Sequence, residues 1–401
     1  MHPTGASCMT TAGNRHWRDL ALFPLEVGAA AVEGWSGYLA GLCRRRANPF
    51  DIADDVLSFW VAVSSRECPK WAHHSDVARR GRLADCRNYS TDGRTDQIPT
   101  LVIPPHSGRA SSIVDYADGR SLMYTLREAG IDNLYCLDWH GRTPDNTNAS
   151  IDDYLDLLTE TTEFLGGRIN LVGFSQGGWL ATIFAALHPA AAHSLVIAGA
   201  PIDFHAGRPH VVEVMGSWLR DPSAAWLRAC AVAIAGLQYR LGEAAGVPLG
   251  RPTAEFEHAM TLLAHIDEPE AVERYLERRR WFAWSQQLPD RFRDWMIEEL
   301  LTNRLISNEL RVKAGNITLE SISCPVFLIA GSDDEFTPPE QVWALERHIS
   351  TPPGHITRRL VKGGHLSLII DPAVLEEVWR PVMRSVAALS ATSEVDHSPS
   401  P

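Results

Sequence analysis

The chain has 401 residues, of which 45% are hydrophobic, a content typical of a globular protein with a sizeable core. Its 37 basic and 49 acidic side chains give a net charge of −12, which argues against a general binder of nucleic acid or anionic membranes, because both require a positive surface. The seven cysteines are scattered and form no CxxC pair, and no apolar run reaches the length of about 18 residues that spans a membrane. We therefore expect a cytoplasmic protein with reduced thiols and no transmembrane segment.

The N-terminal part of the chain predicts helices outside the main domain. Residues 1–20 are polar and are expected to be loose. Apolar residues at helical spacing then predict one helix from Leu25 to Arg46 and another from Ile52 to Val63. We interpret residues 1–80 as a loose segment followed by accessory helices, which either pack on the main domain or form a partner-binding surface.

From residue 81 onwards, predicted strands and helices alternate. Gly81–Tyr89 holds a predicted edge strand, and residues 100–103 form a predicted buried strand. Further strands are predicted at 134–137, 169–174, 194–198, 325–330 and 357–361, with helices at 113–129 and 152–165. Such alternation predicts an α/β fold with a mostly parallel central sheet and helices on both faces. The core would comprise residues 81–204 and 324–390, with functional residues at the carboxyl ends of its strands.

The alternation stops between residues 205 and 323, where the pattern becomes helical. Predicted helices lie at 211–219, 224–241, 254–265, 271–284 and 291–305. We interpret this segment as an inserted helical cap. Its five tryptophans, of which Trp284 is a candidate substrate contact, supply either the core of the cap or an acyl-binding cleft. Residues 391–401 are expected to be a disordered tail.

A serine stands at the joint between the predicted strand 169–174 and the helix that follows it. The sequence Gly173-Phe174-Ser175-Gln176-Gly177 fits G-x-S-x-G, in which a strained strand-to-helix turn exposes the hydroxyl group of the serine. Glycines suit the flanking positions because side chains there would collide where strand and helix cross. The alternative is a turn of a βα unit without chemistry.

A serine hydroxyl needs a base to remove its proton and a third group to orient that base. Asp334 follows the strand 325–330 in a G-x-x-D-x-x-x-P pattern, and His365 follows the last predicted strand in a Gly-Gly-His turn. The order serine, acid, histidine is the one expected of α/β-hydrolases. We predict Ser175 as nucleophile, His365 as general base and Asp334 as the acid, with Asp333 and Asp203 as alternative acids.

Acyl transfer also needs backbone N–H donors that face the developing oxyanion. Gln176, the residue after the nucleophile, is predicted to supply one of them, and the loop after residue 103 the other, with Ser107 as the candidate. We name His106 and Trp139 as further candidate substrate contacts. The chain has no H-E-x-x-H motif and no glycine-rich phosphate loop, so no metal site and no cofactor are predicted.

Further motifs connect the chain to a known family. They are Pro104-Pro105, Leu137-Asp138-Trp139, Asp152-Asp153-Tyr154 and Gly199-Ala200-Pro201-Ile202-Asp203-Phe204. From about Gly81 to Pro372 the chain resembles the polyhydroxyalkanoate synthase and intracellular polyhydroxyalkanoate depolymerase group of α/β-hydrolases. The resemblance implies chemistry on 3-hydroxyacyl esters. The synthases and some of the depolymerases carry cysteine at the elbow, whereas this chain has Ser175, which favours hydrolysis because an oxyester on serine is the usual intermediate of hydrolases.

Three functional hypotheses follow. The leading one is a serine hydrolase that cleaves carboxylic esters, either small-molecule or polymeric, through an acyl-enzyme. The second is an acyltransferase or a polyhydroxyalkanoate synthase-like enzyme. The third is a non-catalytic protein that binds polymer granules or a partner, and an association as a homodimer or with granules is compatible with each of them.

Overall fold

The computed structural model describes residues 12–65, 67–91, 97–106, 110–207, 252–282, 284 and 286–392. Its longer helices are α1 (Ala12–Arg45), α2 (Pro49–Ser64), α3 (Leu122–Glu128), α4 (Ile151–Phe164), α5 (Gln176–Leu187), α6 (Pro252–Ala264), α7 (Pro269–Phe282), α8 (Asp290–Thr302) and α9 (Arg380–Thr392). None of the helices in these described ranges combines the length and the apolar character needed to cross a membrane. The described residues form two compact units, one that contains residues 12–65, 67–68, 252–282 and 284, and the other that contains the described residues between 69 and 207 and between 286 and 392.

The larger unit is built on an eight-stranded sheet. Its strands are β1 (Asp76–Arg79), β2 (Ala84–Asn88), β3 (Thr100–Ile103), β4 (Leu134–Trp139), β5 (Ile169–Phe174), β6 (Ala192–Ala198), β7 (Val326–Gly331) and β8 (Ile356–Val361). They lie in the order β1-β2-β4-β3-β5-β6-β7-β8. Strand β2 pairs antiparallel with both β1 and β4, and all other neighbours are parallel. The predicted α/β fold with a mostly parallel sheet is therefore confirmed.

The central strands are buried on both faces, as their continuous apolar runs require. Every residue of β3, β5, β6 and β7 is buried, and so are the residues of α5 from Gly177 to Ala186. Helix α4 is amphipathic and buries Tyr154, Leu155 and Leu158 at helical spacing. Strand β5 and helix α5 thus lie in the middle of the unit, whereas Ser175 and Gln176, at the turn between them, are partly exposed.

A polar network closes the amino-terminal end of β5, at the opposite end from Ser175. The Asn170 side chain is fully buried, and its Oδ1 accepts hydrogen bonds from His193 Nδ1 at 2.9 Å and from Ser194 Oγ at 2.8 Å. Its Nδ2 donates to Ser390 Oγ of α9 at 3.1 Å. Because a buried amide is costly unless it is hydrogen-bonded, this network ties the last helix to the base of the strand.

The sequence prediction of one helix over residues 113–129 is wrong in its first half. The chain there forms a short 3-10 turn (Ser111–Val114) and a small hairpin (Asp115–Ala117 with Arg120–Ser121), and α3 begins only at Leu122. Gly119 adopts a φ of 68°, and the buried Asp115 carboxylate accepts hydrogen bonds from Ser121 Oγ at 2.6 Å and Tyr89 Oη at 3.2 Å. These tertiary bonds and the turn glycine interrupt the helical pattern.

The strand predicted within Gly81–Tyr89, which is β2, does not lie at the edge of the sheet as predicted, because β1 pairs on its outer side.

The smaller unit is helical. Helix α1 packs along α6 at very short range: a Cβ atom on Gly34 would lie 2.8 Å from Met260 Cβ, and one on Gly37 would lie 2.7 Å from Ala264 Cβ. Tyr38, Leu262 and Tyr275 belong to its buried core. The expectation of a loose segment at residues 1–20 is wrong from Ala12 onwards, where α1 begins, and residues 1–11 lie outside the described part.

The contacts divide the chain differently from the boundaries proposed from the sequence. Helices α6 and α7, which fall in the proposed cap at residues 205–323, belong to the same unit as α1 and α2. Helix α8 belongs to the sheet unit and buries Phe292 in its core. Residues 69–80, assigned above to the N-terminal segment, also belong to the sheet unit and contain β1. The predicted helices at 211–219 and 224–241 lie outside the described residues. The prediction of a disordered tail at 391–401 is wrong for residues 391–392, which belong to α9, and residues 393–401 lie outside the described part.

Candidate active site

Ser175 occupies the turn between β5 and α5 in a strained backbone conformation. Its φ is 55° and its ψ is −126°, values that L-residues rarely adopt. The turn is held because the Ser175 N–H donates to Ala198 O of β6 at 2.8 Å, and the Ser175 carbonyl accepts from Gly178 N at 2.9 Å. The sequence-predicted elbow therefore has the geometry that presents a side chain at the carboxyl end of the sheet.

Two glycines make this turn sterically possible. A Cβ atom on Gly173 would lie 2.4 Å from Gly178 Cα, and a Cβ atom on Gly177 would lie 1.9 Å from Ile103 O at the end of β3. Both contacts are with backbone atoms, which cannot rotate away as a flexible side chain can. The G-x-S-x-G spacing is thus explained by the close crossing of β5, α5 and the end of β3.

Replacing Gly177 by alanine is expected to lower the free energy of unfolding by about 3 kcal/mol, since the added methyl group overlaps the backbone at the end of β3. Gly354, whose added Cβ would meet no atom within 4 Å, provides a matched control. Urea denaturation followed by circular dichroism measures both variants. Equal stability of Gly177→Ala and Gly354→Ala would contradict this steric explanation.

The structure brings Ser175, His365 and Asp334 together. His365 Nε2 lies 2.9 Å from Ser175 Oγ, and His365 Nδ1 lies 2.7 Å from Asp334 Oδ2. The imidazole is packed by the rings of Phe174 and Phe336, whose centroids lie 4.9 and 5.6 Å from its own. Three loops that are far apart in the sequence therefore meet in a hydrogen-bonded chain from hydroxyl to imidazole to carboxylate, an arrangement that can remove a proton from the serine.

The Asp334 carboxylate is buried and surrounded by donors. Its Oδ1 accepts hydrogen bonds from the backbone N–H groups of Phe336 and Thr337, each at 2.9 Å. Burial raises the pKa of Asp334, but the hydrogen bonds from His365 and Thr337 outweigh burial, so the pKa of this carboxyl lies below its ordinary value. The site thus holds a carboxylate that is ionised at neutral pH and faces Nδ1 of His365.

The two alternative acids lie elsewhere. Asp203 Oδ1 accepts hydrogen bonds from Asn303 Nδ2 at 2.7 Å and from His205 N at 3.0 Å. Asp333 is exposed. Of the three candidate carboxylates, all within the described residues, Asp334 is the one hydrogen-bonded to His365.

The predicted oxyanion donors are only partly covered by the structure. Gln176 is the first residue of α5, so its N–H stands at a helix N-terminus, where the dipole favours negative charge. Ser107 lies outside the described residues, as do Gly108 and Arg109. Both assignments stay predictions.

The three predicted substrate contacts have different surroundings. His106 is 1% exposed, with its Nε2 3.2 Å from Met296 Sδ and its ring 5.0 Å from that of Phe292. Burial lowers the pKa of His106 to about 3, so this histidine is neutral. Trp139 is also buried, and its Nε1 donates to Pro104 O at 2.9 Å. Trp284 is half-buried and belongs to the helical unit. Each of these substrate contacts stays a prediction.

Sequence reasoning did not identify Thr337, which contacts both Asp334 and His365. Its Oγ1 lies 2.8 Å from Asp334 Oδ2, 3.1 Å from His365 Nδ1 and 2.9 Å from Gly199 O. The one signal in the sequence is a polar residue directly before Pro338 in the acid loop. That signal is weak, because threonine is common in such turns for local reasons.

The comparisons with known proteins agree with this architecture. The sequence profile of the alpha/beta hydrolase fold family matches residues 130–372. The chain belongs to the α/β hydrolase family. The sequence-based prediction of this family is confirmed.

Among the curated relatives of this α/β hydrolase are poly(3-hydroxyalkanoate) polymerase subunits. The PhaC subunit of Thiocystis violacea is 23% identical over 326 residues, covering 79% of this chain and 87% of the relative. That of Haloarcula marismortui is 25% identical over 373 residues, covering 87% and 74%. Among solved structures, a monoacylglycerol lipase of Paleococcus ferrophilus superposes with a TM-score of 0.46 at 18% identity, covering 77% of this chain and 99% of the lipase. The chain is thus a distant relative of the polyhydroxyalkanoate synthases, as the sequence motifs indicated.

Proposed function

We propose that this α/β hydrolase is a serine ester hydrolase that cleaves 3-hydroxyacyl esters, including polyhydroxyalkanoate or its oligomers. The observation that carries the proposal is the chain of contacts from Ser175 Oγ to His365 Nε2 at 2.9 Å and from His365 Nδ1 to Asp334 Oδ2 at 2.7 Å. A protein that only binds polymer needs neither a strained serine nor a base within hydrogen-bond reach of it. The substrate class comes from the relationship to poly(3-hydroxyalkanoate) polymerase subunits.

In the proposed mechanism Ser175 Oγ attacks the carbonyl carbon of the ester while His365 Nε2 takes the hydroxyl proton. Asp334 accepts the hydrogen bond from Nδ1–H and stabilises the imidazolium that forms. The tetrahedral intermediate expels the alcohol, which takes the proton from His365, and Ser175 is left as an acyl ester. Water then attacks this ester while His365 takes its proton, and His365 returns that proton to Ser175 Oγ as the ester bond breaks and the free acid is released.

A second candidate function is transfer of the acyl group to an alcohol instead of water. The relationship to a poly(3-hydroxyalkanoate) polymerase subunit, matched over 79% of this chain, supports this candidate. The serine supports hydrolysis. A thiolate leaves a thioester more readily than an alkoxide leaves an oxyester, so a cysteine suits the passing of a growing chain from one carrier to the next.

Product analysis separates the two functions. The purified protein is incubated in parallel with soluble 3-hydroxybutyrate oligomers, 3-hydroxybutyryl-CoA and p-nitrophenyl butyrate, and the products are separated by chromatography. We expect shortened oligomers with free 3-hydroxybutyrate, and no polymer. If the protein forms polymer from the CoA ester, its function is acyl transfer and the proposal of a hydrolase is wrong.

A fluorophosphonate probe tests the serine independently of the substrate. We expect mass spectrometry to find the adduct on the peptide that contains Ser175. No adduct, together with no product from any of the three esters, would favour a non-catalytic binding protein.

A further inference from the structure

The buried Asp334 carboxylate has four donors at hydrogen-bond distance. Oδ1 receives the backbone N–H groups of Phe336 and Thr337, and Oδ2 receives His365 Nδ1 at 2.7 Å and Thr337 Oγ1 at 2.8 Å. Two carboxylate oxygens offer about four lone-pair sites, so these donors fill the carboxylate. Thr337 is the one side chain besides His365 in this set.

The Thr337 hydroxyl also connects the acid loop to the loop after β6. Its Oγ1 lies 2.9 Å from Gly199 O, and a Cβ atom on Gly199 would lie 3.2 Å from His365 Cε1. The backbone of Gly199 therefore lies against the edge of the imidazole. The hydroxyl has a single proton, so it donates either to Asp334 Oδ2 or to Gly199 O at a given moment, and both of these acceptors lie beside the imidazole.

We propose that Thr337 is a positioning residue, whose hydroxyl donates to Asp334, completes the donor set of this carboxylate and so fixes it opposite Nδ1 of His365. This inference rests on the serine-triad function proposed above. Thr337 affects catalysis because it helps to keep His365 in one tautomer. With the carboxylate fixed at Nδ1, the proton stays on that nitrogen, and Nε2 keeps the lone pair that accepts the Ser175 proton.

The test compares Thr337→Val, which removes the hydroxyl at nearly constant volume, with Thr337→Ser, which keeps it. For Thr337→Val we expect kcat for p-nitrophenyl butyrate to fall about 10- to 100-fold, the effect of one lost hydrogen bond to a charged group, with KM unchanged. The acidic limb of the pH profile of kcat/KM should move to higher pH, because the His365–Asp334 pair loses a donor that favours the charged carboxylate. Thr337→Ser should keep the wild-type kcat and pH profile.

Thr351→Val is the matched control, since Thr351 is equally buried and its Oγ1 donates to Cys324 O at 2.7 Å, before β7 begins. It should lose stability in thermal denaturation and leave kcat and the acidic limb unchanged. If Thr337→Val does not fold, Thr337→Ala takes its place in the comparison with Thr337→Ser.

Three outcomes overturn the inference: a wild-type kcat and acidic limb in Thr337→Val, equal impairment of Thr337→Ser and Thr337→Val, or the same change in Thr351→Val. Each outcome is compared with the activity of the Ser175→Ala variant. If Ser175→Ala is inactive while Thr337→Val is unaffected, the role of Thr337 alone fails. If Ser175→Ala is active, the proposed function fails first.

Discussion

Replacing Ser175 by alanine is expected to lower kcat/KM for p-nitrophenyl butyrate by about 10⁴-fold or more, because the variant has no nucleophile to form the acyl-enzyme. The backbone bonds that hold the turn, from Ser175 N to Ala198 O and from Gly178 N to the Ser175 carbonyl, do not involve the side chain. The fold should therefore remain. Initial rates and a circular dichroism melting curve measure the two expectations.

Ser332→Ala is a suitable control for this variant, since Ser332 is an exposed serine of the acid loop. It should keep the wild-type rate. The protein must first be freed of contaminating esterases. If Ser175→Ala then keeps more than about 10% of the wild-type activity, the assignment of Ser175 as the nucleophile is wrong.

The second large effect concerns the acid. Asp334→Asn is expected to lower kcat by about 10³- to 10⁴-fold at pH 8, because an amide can turn its NH₂ group towards Nδ1 and so favour the wrong tautomer of His365. Asp203→Asn and Asp333→Asn make the same chemical change nearby and should retain most of the wild-type kcat. The measurement is kcat for p-nitrophenyl butyrate at saturating substrate for all three variants.

Asp203→Asn does have an expected cost in stability. Its Oδ1 accepts hydrogen bonds from Asn303 and His205, and the neutral amide oxygen of asparagine accepts them less strongly than a carboxylate does, so the melting temperature should fall while kcat stays. An inactive Asp203→Asn variant beside an active Asp334→Asn variant would move the acid to the loop after β6.

Local patterns predicted the sheet because its central strands are short apolar runs, and such runs mark buried parallel strands. The elbow and the acid loop could be predicted for a related reason, since each directly follows such a strand. The histidine loop follows β8, of which only the last residue is buried, and was predicted from its Gly-Gly-His turn. The helix prediction at residues 113–129 failed because Asp115 is bound to Tyr89 and Ser121, contacts that no local pattern reports. The spacing of apolar residues predicts that a helix or strand is present, whereas hydrogen bonds of buried polar side chains determine where it begins and ends.

The grouping of the helices could not be predicted for a similar reason. Helix α1 meets α6 across more than 200 residues of sequence, and the close approach depends on Gly34 and Gly37 lying opposite Met260 and Ala264. Glycine at such spacing is common in helices that do not pack so closely. Thr337 is the corresponding case at the site: its role depends on three partners, of which only Asp334 is near it in the sequence.

The buried amide at the base of β5 has a consequence for how the protein is made. Asn170 Nδ2 donates to Ser390 of the last helix, whereas Ser175 stands at the other end of the same strand. A ribosome synthesises residues 170–175 long before residue 390, and His365 and Asp334 also come late. The nascent chain therefore carries Ser175 without His365 beside it until residue 365 has been synthesised, and the hydrogen bond from Asn170 to Ser390 can form only after that.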